Sequence, residues 1–199
     1  MLRQSGADVG DLVEILEDIQ YDTTRASDVI KRLRVLLRKG EIELQPLFLN
    51  DIVQEVLDFA HADLVKRDIA VATYLGQGMP EVLGDRVQLQ QVVLNLVINA
   101  CEAMSAIATS ARRLRIDTTT DTTGMLRISV ADCGVGIAQG QLEKVFEPFF
   151  TTKDQGLGLG LSISRSIITA HGGRLWGERN GEGGATFHFS LPVHHHTVG

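Results

Sequence analysis

Residues 85–104 read D-R-V-Q-L-Q-Q-V-V-L-N-L-V-I-N-A-C-E-A-M, a stretch apolar enough to be the core helix of a domain. Within it Gln88, Gln91, Asn95, Asn99 and Glu102 recur at spacings of three, four, four and three. On a helix with about 3.6 residues per turn those five side chains fall on one line. Unpaired buried amides are costly, so a polar line on a core helix needs partners. Another side chain or a water can satisfy one amide. Five in register suit a bound polar ligand. Asp85 caps this helix, with Gln88 placed to complete a capping box.

Upstream, residues 41–49 are short, contain Pro46 and read as an edge strand or connector. Asn50 can cap a helix running to about Arg67, with Ile52, Val53, Val56, Leu57, Ala60 and Leu64 on one face. Residues 69–75 alternate as a strand, and 76–84 read as a loop. Downstream, residues 109–113 connect to a hairpin of 113–119 and 125–131 around a threonine-rich turn. Residues 132–160 are glycine-rich with little periodicity, and loops of that length are usually functional or mobile. Residues 161–171 form a helix that buries Leu161, Ile163, Ile167, Ile168 and Ala170, and 174–178 and 185–191 close the chain as strands. Strands and helices follow one another without strict βαβ alternation. The fold class is therefore α+β, a mixed sheet packed on three helices.

Residues 11–39 read as one long helix with Leu12, Leu16, Ile19, Thr23, Ala26, Ile30, Leu33 and Leu37 in alternating steps of four and three. That a/d seam calls for helix-to-helix packing in a bundle or dimer. The expected organisation is 1–40 as this helix, 41–193 as the main domain and 194–199 as a tail in which His194, His195 and His196 are solvated. The chain has 199 residues and a net charge of −6, which argues against binding nucleic acid by phosphate neutralisation. No apolar run approaches the roughly 18 residues of a membrane span, and two cysteines, Cys101 and Cys133, form neither a framework nor a zinc site. A reduced, cytoplasmic chain is expected.

Two glycine clusters carry chemistry. Asp132 ends an apolar strand and is followed by Gly134 and Gly136 in D-C-G-V-G-I. A carboxylate there can accept from an exocyclic amine, and the glycines let a flat ring come close. A plain turn has the same signature. Gly156, Gly158 and Gly160 alternate in Q-G-L-G-L-G-L directly before a helix, where free backbone N–H groups can cradle phosphate oxygens. The intervening Leu157, Leu159 and Leu161 are not linker residues. The spacing fits neither the P-loop nor the dinucleotide fingerprint. Together these pieces suggest that Asp132 selects an amine-bearing base, that the glycines cover a phosphate chain, and that Asn95 and Asn99 face those phosphates. An amide oxygen suits Mg²⁺, so Asn99 is the candidate metal ligand, with Asn95 and Glu102 holding water or phosphate. Lys153 is a candidate phosphate contact.

The sequence resembles the ATP-binding domain of bacterial sensor histidine kinases, within the wider gyrase, Hsp90, histidine kinase and MutL superfamily. The resemblance rests on N-L-V-I-N-A-C-E-A-M at 95–104, D-C-G-V-G-I from Asp132 to Ile137, F-E-P-F-F-T-T-K at 146–153, G-L-G-L-G-L at 156–161 and G-G-A-T-F-H-F-S-L-P at 183–192. It covers roughly residues 41–193. It implies an α/β sandwich, Mg-ATP as substrate, a lid of about residues 138–157, Asp132 reading the adenine and Thr186 near it. It also implies transfer of the γ-phosphoryl group to a histidine, a response regulator receiver domain as partner, and a homodimer through the N-terminal helix. Asn95 stands where clamp-type ATPases of the superfamily carry a water-activating glutamate. An amide cannot act as a base, so its catalytic role favours transfer over hydrolysis. No histidine precedes His61, so residues 11–39 resemble only the second helix of the family's acceptor hairpin, and this chain is expected to bind ATP without its usual autophosphorylation site. The alternatives are an ATP-driven conformational clamp and an anti-sigma-type serine kinase. His171 is expected to be structural, Trp176 and Phe187 to be core residues, and Cys133 a small residue in a tight turn.

Overall fold

The computed structural model describes residues 43–121, 123–138, 140–152 and 157–194. The expected helix at 11–39, Lys153, Gly156, His195 and His196 lie outside the described residues. A five-stranded sheet and a two-stranded ribbon account for all the strands described. The strands are β1 (Gln45–Leu47), β2 (Ala70–Leu75), β3 (Val82–Gly84), β4 (Arg113–Thr120), β5 (Met125–Asp132), β6 (Arg174–Arg179) and β7 (Ala185–Pro192). The helices are α1 (Leu49–Lys66), α2 (Arg86–Ala103) and α3 (Gly160–Ala170), with short 3-10 turns at Thr109–Ala111 and Lys144–Phe146. The large sheet runs β2-β4-β5-β7-β6, and only the β2–β4 pair is parallel. This is the mixed α+β sandwich expected from the sequence.

The period-2 pattern of the strands decides which face meets the helices. Leu114 and Ile116 on β4, Leu126 and Ile128 on β5, and Phe189 and Leu191 on β7 are fully buried. They pack beneath Leu49, Ile52 and Val53 of α1, Leu89, Val92, Val93 and Leu96 of α2, and Ile163 and Ile168 of α3. The opposite face carries Tyr74, Asp117, Ser129, His188 and Trp176 in one row of directly paired residues across all five strands. Trp176 thus belongs to the outer face, stacked on His188 at 5.1 Å, whereas Phe187 is in the core, edge-on to Phe146.

Several local expectations need correction. Asn50 does not cap α1; Phe48 holds the N-cap position and offers no side-chain bond. The Asn50 amide instead donates to the Gly76 carbonyl (2.9 Å) and accepts from the Thr118 hydroxyl (2.8 Å), which ties α1 to the sheet. The capping box at α2 is half made. Asp85 Oδ1 accepts from the Gln88 N–H at 3.1 Å, but the Asp85 N–H donates to His171 Nε2 at 3.0 Å. Residues 82–84, read as loop, pair with β1 as a ribbon. On α3, Ala170 is exposed and Leu161 half-buried, while Ser164 is buried with Ile163, Ile167 and Ile168.

Candidate functional site

The central element is α2. Its apolar stripe is packed away, and Gln88, Gln91, Asn95, Asn99 and Glu102 form the half-buried stripe that the spacing predicts. Against this stripe comes the N-terminus of α3. The Asn95 amide nitrogen donates to Ser164 Oγ at 3.0 Å. Its Oδ1 lies so close to Gly160 that any β-carbon there would collide with it. Leu159, 7% exposed, holds the N-cap position of α3 and makes no side-chain cap bond. The first turn of α3, whose N–H groups are of the kind that can hold an anion, begins beside Asn95. Gly158 has φ +63° and would clash with the Phe149–Phe150 backbone if it carried a side chain, and its carbonyl accepts from the Phe149 N–H at 3.0 Å. Phe149 itself sits at φ +66° with 74% of its surface exposed. A bulky residue in that conformation is strained. Leu157, half-buried, precedes this turn.

The second wall is built at the end of β5. Asp132 is 4% exposed. Its Oδ1 accepts from the Gly134 N–H at 2.8 Å and from the Ala185 N–H at 3.4 Å, so the carboxylate is fixed by backbone donors on two strands' ends. Gly134 lies directly on the Ala103 carbonyl at the end of α2, and the next residue's N–H bonds that carbonyl at 3.2 Å. Gly136, at φ +67°, leaves no room for a β-carbon against the Gly183 carbonyl, 2.6 Å away. Ile137, half-buried, follows it. The D-C-G-V-G-I turn is thus wedged between the end of α2 and the β6–β7 turn.

Asn95, Gly158, Leu159 and Gly160 are brought together at the α2–α3 junction, and Asp132, Gly134 and Gly136 at the α2–β5–β7 junction. Asn99 and Glu102 lie on α2 between these ends. Thr186 follows Ala185 on β7. It pairs with Ala131 and shares the outer face with His188, while the Asp132 side chain points to the helix face. The Ala185 N–H reaches the Asp132 carboxylate.

Two residues escaped the sequence reading. Asn180 donates to the Asp132 carbonyl at 2.7 Å and the Ala185 carbonyl at 3.1 Å, which clamps β5 to the β6–β7 turn. Its place in R-N-G-E-G-G signals a turn but not a clamp. Ser164 left no signal, since a serine on a helix gives no pattern. His171 is structural as expected: it receives the Asp85 N–H and its Nδ1 donates to the Ile167 carbonyl at 2.7 Å. Cys133 Sγ bonds the Ala111 carbonyl at 3.0 Å and receives the Arg113 N–H at 3.2 Å.

The donor set suits a metal-bound nucleotide. Amide and carboxylate oxygens at Asn95, Asn99 and Glu102 are hard ligands of the type Mg²⁺ takes. Among the described residues no three His, Cys, Asp or Glu side chains form a metal cage. A divalent ion bound here would rely on amide and phosphate oxygens.

The family model of histidine kinase-, DNA gyrase B- and HSP90-like ATPases matches residues 84–195. The sensor protein FixL of Bradyrhizobium diazoefficiens (strain JCM 10833 / BCRC 13528 / IAM 13628 / NBRC 14792 / USDA 110) is 43% identical over 169 residues, 85% of this chain and 33% of the relative. The chain spans about a third of that relative's length. Among solved structures, the nucleotide-free catalytic domain of histidine kinase ThkA superposes with a TM-score of 0.67 at 37% identity, covering 76% of this chain and 96% of that one. ThkA in complex with the response regulator protein TrrA gives 0.78 at 30% identity, covering 96% and 54%.

Proposed function

This chain belongs to the family of histidine kinase-, DNA gyrase B- and HSP90-like ATPases, and from that premise we propose that it is the ATP-binding catalytic core of a sensor histidine kinase. The observation that carries the reading is the convergence of a buried, backbone-held Asp132 with the polar line of α2 and the uncapped N-terminus of α3. In this reading Asp132 accepts from the adenine amine. A carboxylate already oriented by the Gly134 and Ala185 N–H groups needs no rearrangement to do so. Gly134 and Gly136 let the turn after Asp132 pack tightly on Ala103 and Gly183, which keeps the carboxylate in place. The N-terminal turn of α3 holds phosphate oxygens with its N–H groups. Asn99 holds the metal, and Asn95 and Glu102 orient its water and the phosphates. Bound Mg²⁺ would neutralise charge on the phosphates. The rest of the work is positioning, since phosphoryl transfer asks for little covalent chemistry from the protein.

The acceptor is a histidine of the sensor kinase, whose imidazole is nucleophilic near neutral pH. Asn95 provides no base for water, so turnover without an acceptor is slow. The phosphoryl group passes on to a response regulator receiver domain. A structural neighbour was solved as such a complex, which supports this partner. The kinase acts in the cytoplasm and dimerises through the segment at 11–39 that carries the heptad pattern. No helix among the described residues is long and apolar enough to cross a membrane.

The test is a titration with ATP, with and without Mg²⁺, on wild type, Asn99→Ala and Asp132→Asn. Asp132→Asn is expected to weaken binding in both conditions and Asn99→Ala chiefly with Mg²⁺. If neither change weakens binding, the site assignment is wrong.

A further inference from the structure

At the end of β5 and the start of β7 side chains take over from the strand ladder. The register of the two strands runs as far as Ala131 opposite Thr186. One step beyond, Asp132 and Ala185 are joined by Asn180, which stands in the turn between β6 and β7. Its Nδ2 donates to the Asp132 carbonyl at 2.7 Å and to the Ala185 carbonyl at 3.1 Å. A carbonyl can only accept, so it is the nitrogen of this amide that faces the strand ends. The Asn180 Oδ1 accepts from the Glu182 N–H at 3.1 Å, a local bond that shapes the turn. The two ends of one amide therefore have separate roles: oxygen folds the turn, and nitrogen ties two strand ends together.

The tie bears on the Asp132 carboxylate. Of its backbone donors, the Gly134 N–H lies two residues on and comes with the local turn. The Ala185 N–H lies 53 residues away, and it reaches Oδ1, at 3.4 Å, only while the strand ends stay together. Gly184 rests against the Asp132 carbonyl and Oδ1 with no room for a β-carbon, so the turn that carries Asn180 is seated on Asp132 itself. We propose that Asn180 is a positioning residue for base selection. By holding the Ala185 end against Asp132 it keeps the carboxylate aimed at the exocyclic amine of the purine. This rests on the ATP-site reading above, and Asn180 acts through Asp132 rather than on the base. Without the Nδ2 bridge the strand ends part and the carboxylate loses one of its backbone holds. The cost falls on a nucleotide that carries the amine and spares one that lacks it.

The experiment uses the full chain as wild type, Asn180→Ala and Asn180→Asp. Aspartate keeps an oxygen for the Glu182 N–H, and with it the turn, but has no N–H for the two carbonyls. ATP and inosine triphosphate, which lacks the amine, are titrated with Mg²⁺ by calorimetry. Both variants are expected to lose roughly threefold to tenfold in affinity for ATP, the worth of one hydrogen bond, and under about twofold for inosine triphosphate. Without nucleotide, the Ala185 backbone amide resonance is expected to move in both. An equal loss for the two nucleotides, or variants that no longer fold, makes Asn180 a structural residue only and overturns the proposal. Wild-type behaviour of Asn180→Asp makes it a turn residue only and overturns it too. A wild-type chain that binds neither nucleotide, or both alike, overturns the site reading itself, and the role of Asn180 with it.

Discussion

Gly160 and Asn95 share a space too small for one more methyl group. The change Gly160→Ala must therefore push α3 away from α2 or turn the Asn95 amide. We expect it to lower stability by about 1–3 kcal/mol, as overpacked sites do, and to weaken ATP binding as well; a urea midpoint and a nucleotide titration check the two effects separately. A change that stabilised the chain, as glycine-to-alanine changes in open helices do, would show that the close approach is not maintained. At this scale the sequence was legible where polar residues broke an apolar pattern. Asn95, Asn99 and Asp132 stood out for that reason. Alternation along β7 puts Ala185 and Thr186 on opposite faces, and only the pairing of Ala131 with Thr186 says which is which. Asn180 and Ser164 act through partners 48 and 69 residues away, and no local pattern records such bonds.

Among the elements, helices and long strands were legible because their periods run for several residues, whereas the three-residue β3 is too short to show one. The parallel β2–β4 pairing joins strands separated by all of α2, which no local signal announces. Asn50 shows how tertiary contact overrides a capping preference. Its side chain leaves the start of α1 to bond Gly76 and Thr118, and Asn50→Ala is expected to cost about 1–3 kcal/mol by leaving those partners unpaired. Chemical denaturation measures this; a loss below the experimental error would mean that water replaces both bonds.

On the outer face of the sheet, His188 stacks on Trp176, bonds Ser129 through Nδ1 (2.7 Å) and meets Glu178 through Nε2 (3.1 Å). Burial holds its imidazole below the ordinary histidine value, with Glu178 opposing the shift. The unfolded chain then binds the proton more readily than the folded one. The stabilisation is complete above the unfolded pKa of about 6.5 and is lost as pH falls below it through the lower folded value. Denaturation midpoints from pH 7.5 to 5 should fall more steeply in wild type than in His188→Gln. Parallel slopes would place the pH dependence elsewhere.

For the described domain as a whole, helices on one face and a polar outer row on the other leave the proposed nucleotide site at the edge where α2, α3 and the strand ends meet. A ligand bound there would touch elements spread from Asn95 to Ala185, so it should stabilise the domain as one unit. Mg-ATP at about 100 times its dissociation constant is expected to add roughly 2.7 kcal/mol to unfolding, read as a rise in the thermal midpoint. The same midpoint with and without ATP would mean that folded and unfolded chains bind it equally or not at all. The central claim is that the carboxylate of Asp132 reads an exocyclic amine. Its most direct test compares ATP with inosine triphosphate, which lacks that amine, on wild type and Asp132→Asn by calorimetric titration. Wild type is expected to prefer ATP by about tenfold or more, the worth of a hydrogen bond to a charged group, and the preference should collapse toward unity in Asp132→Asn. Equal affinity of wild type for both nucleotides would contradict the account.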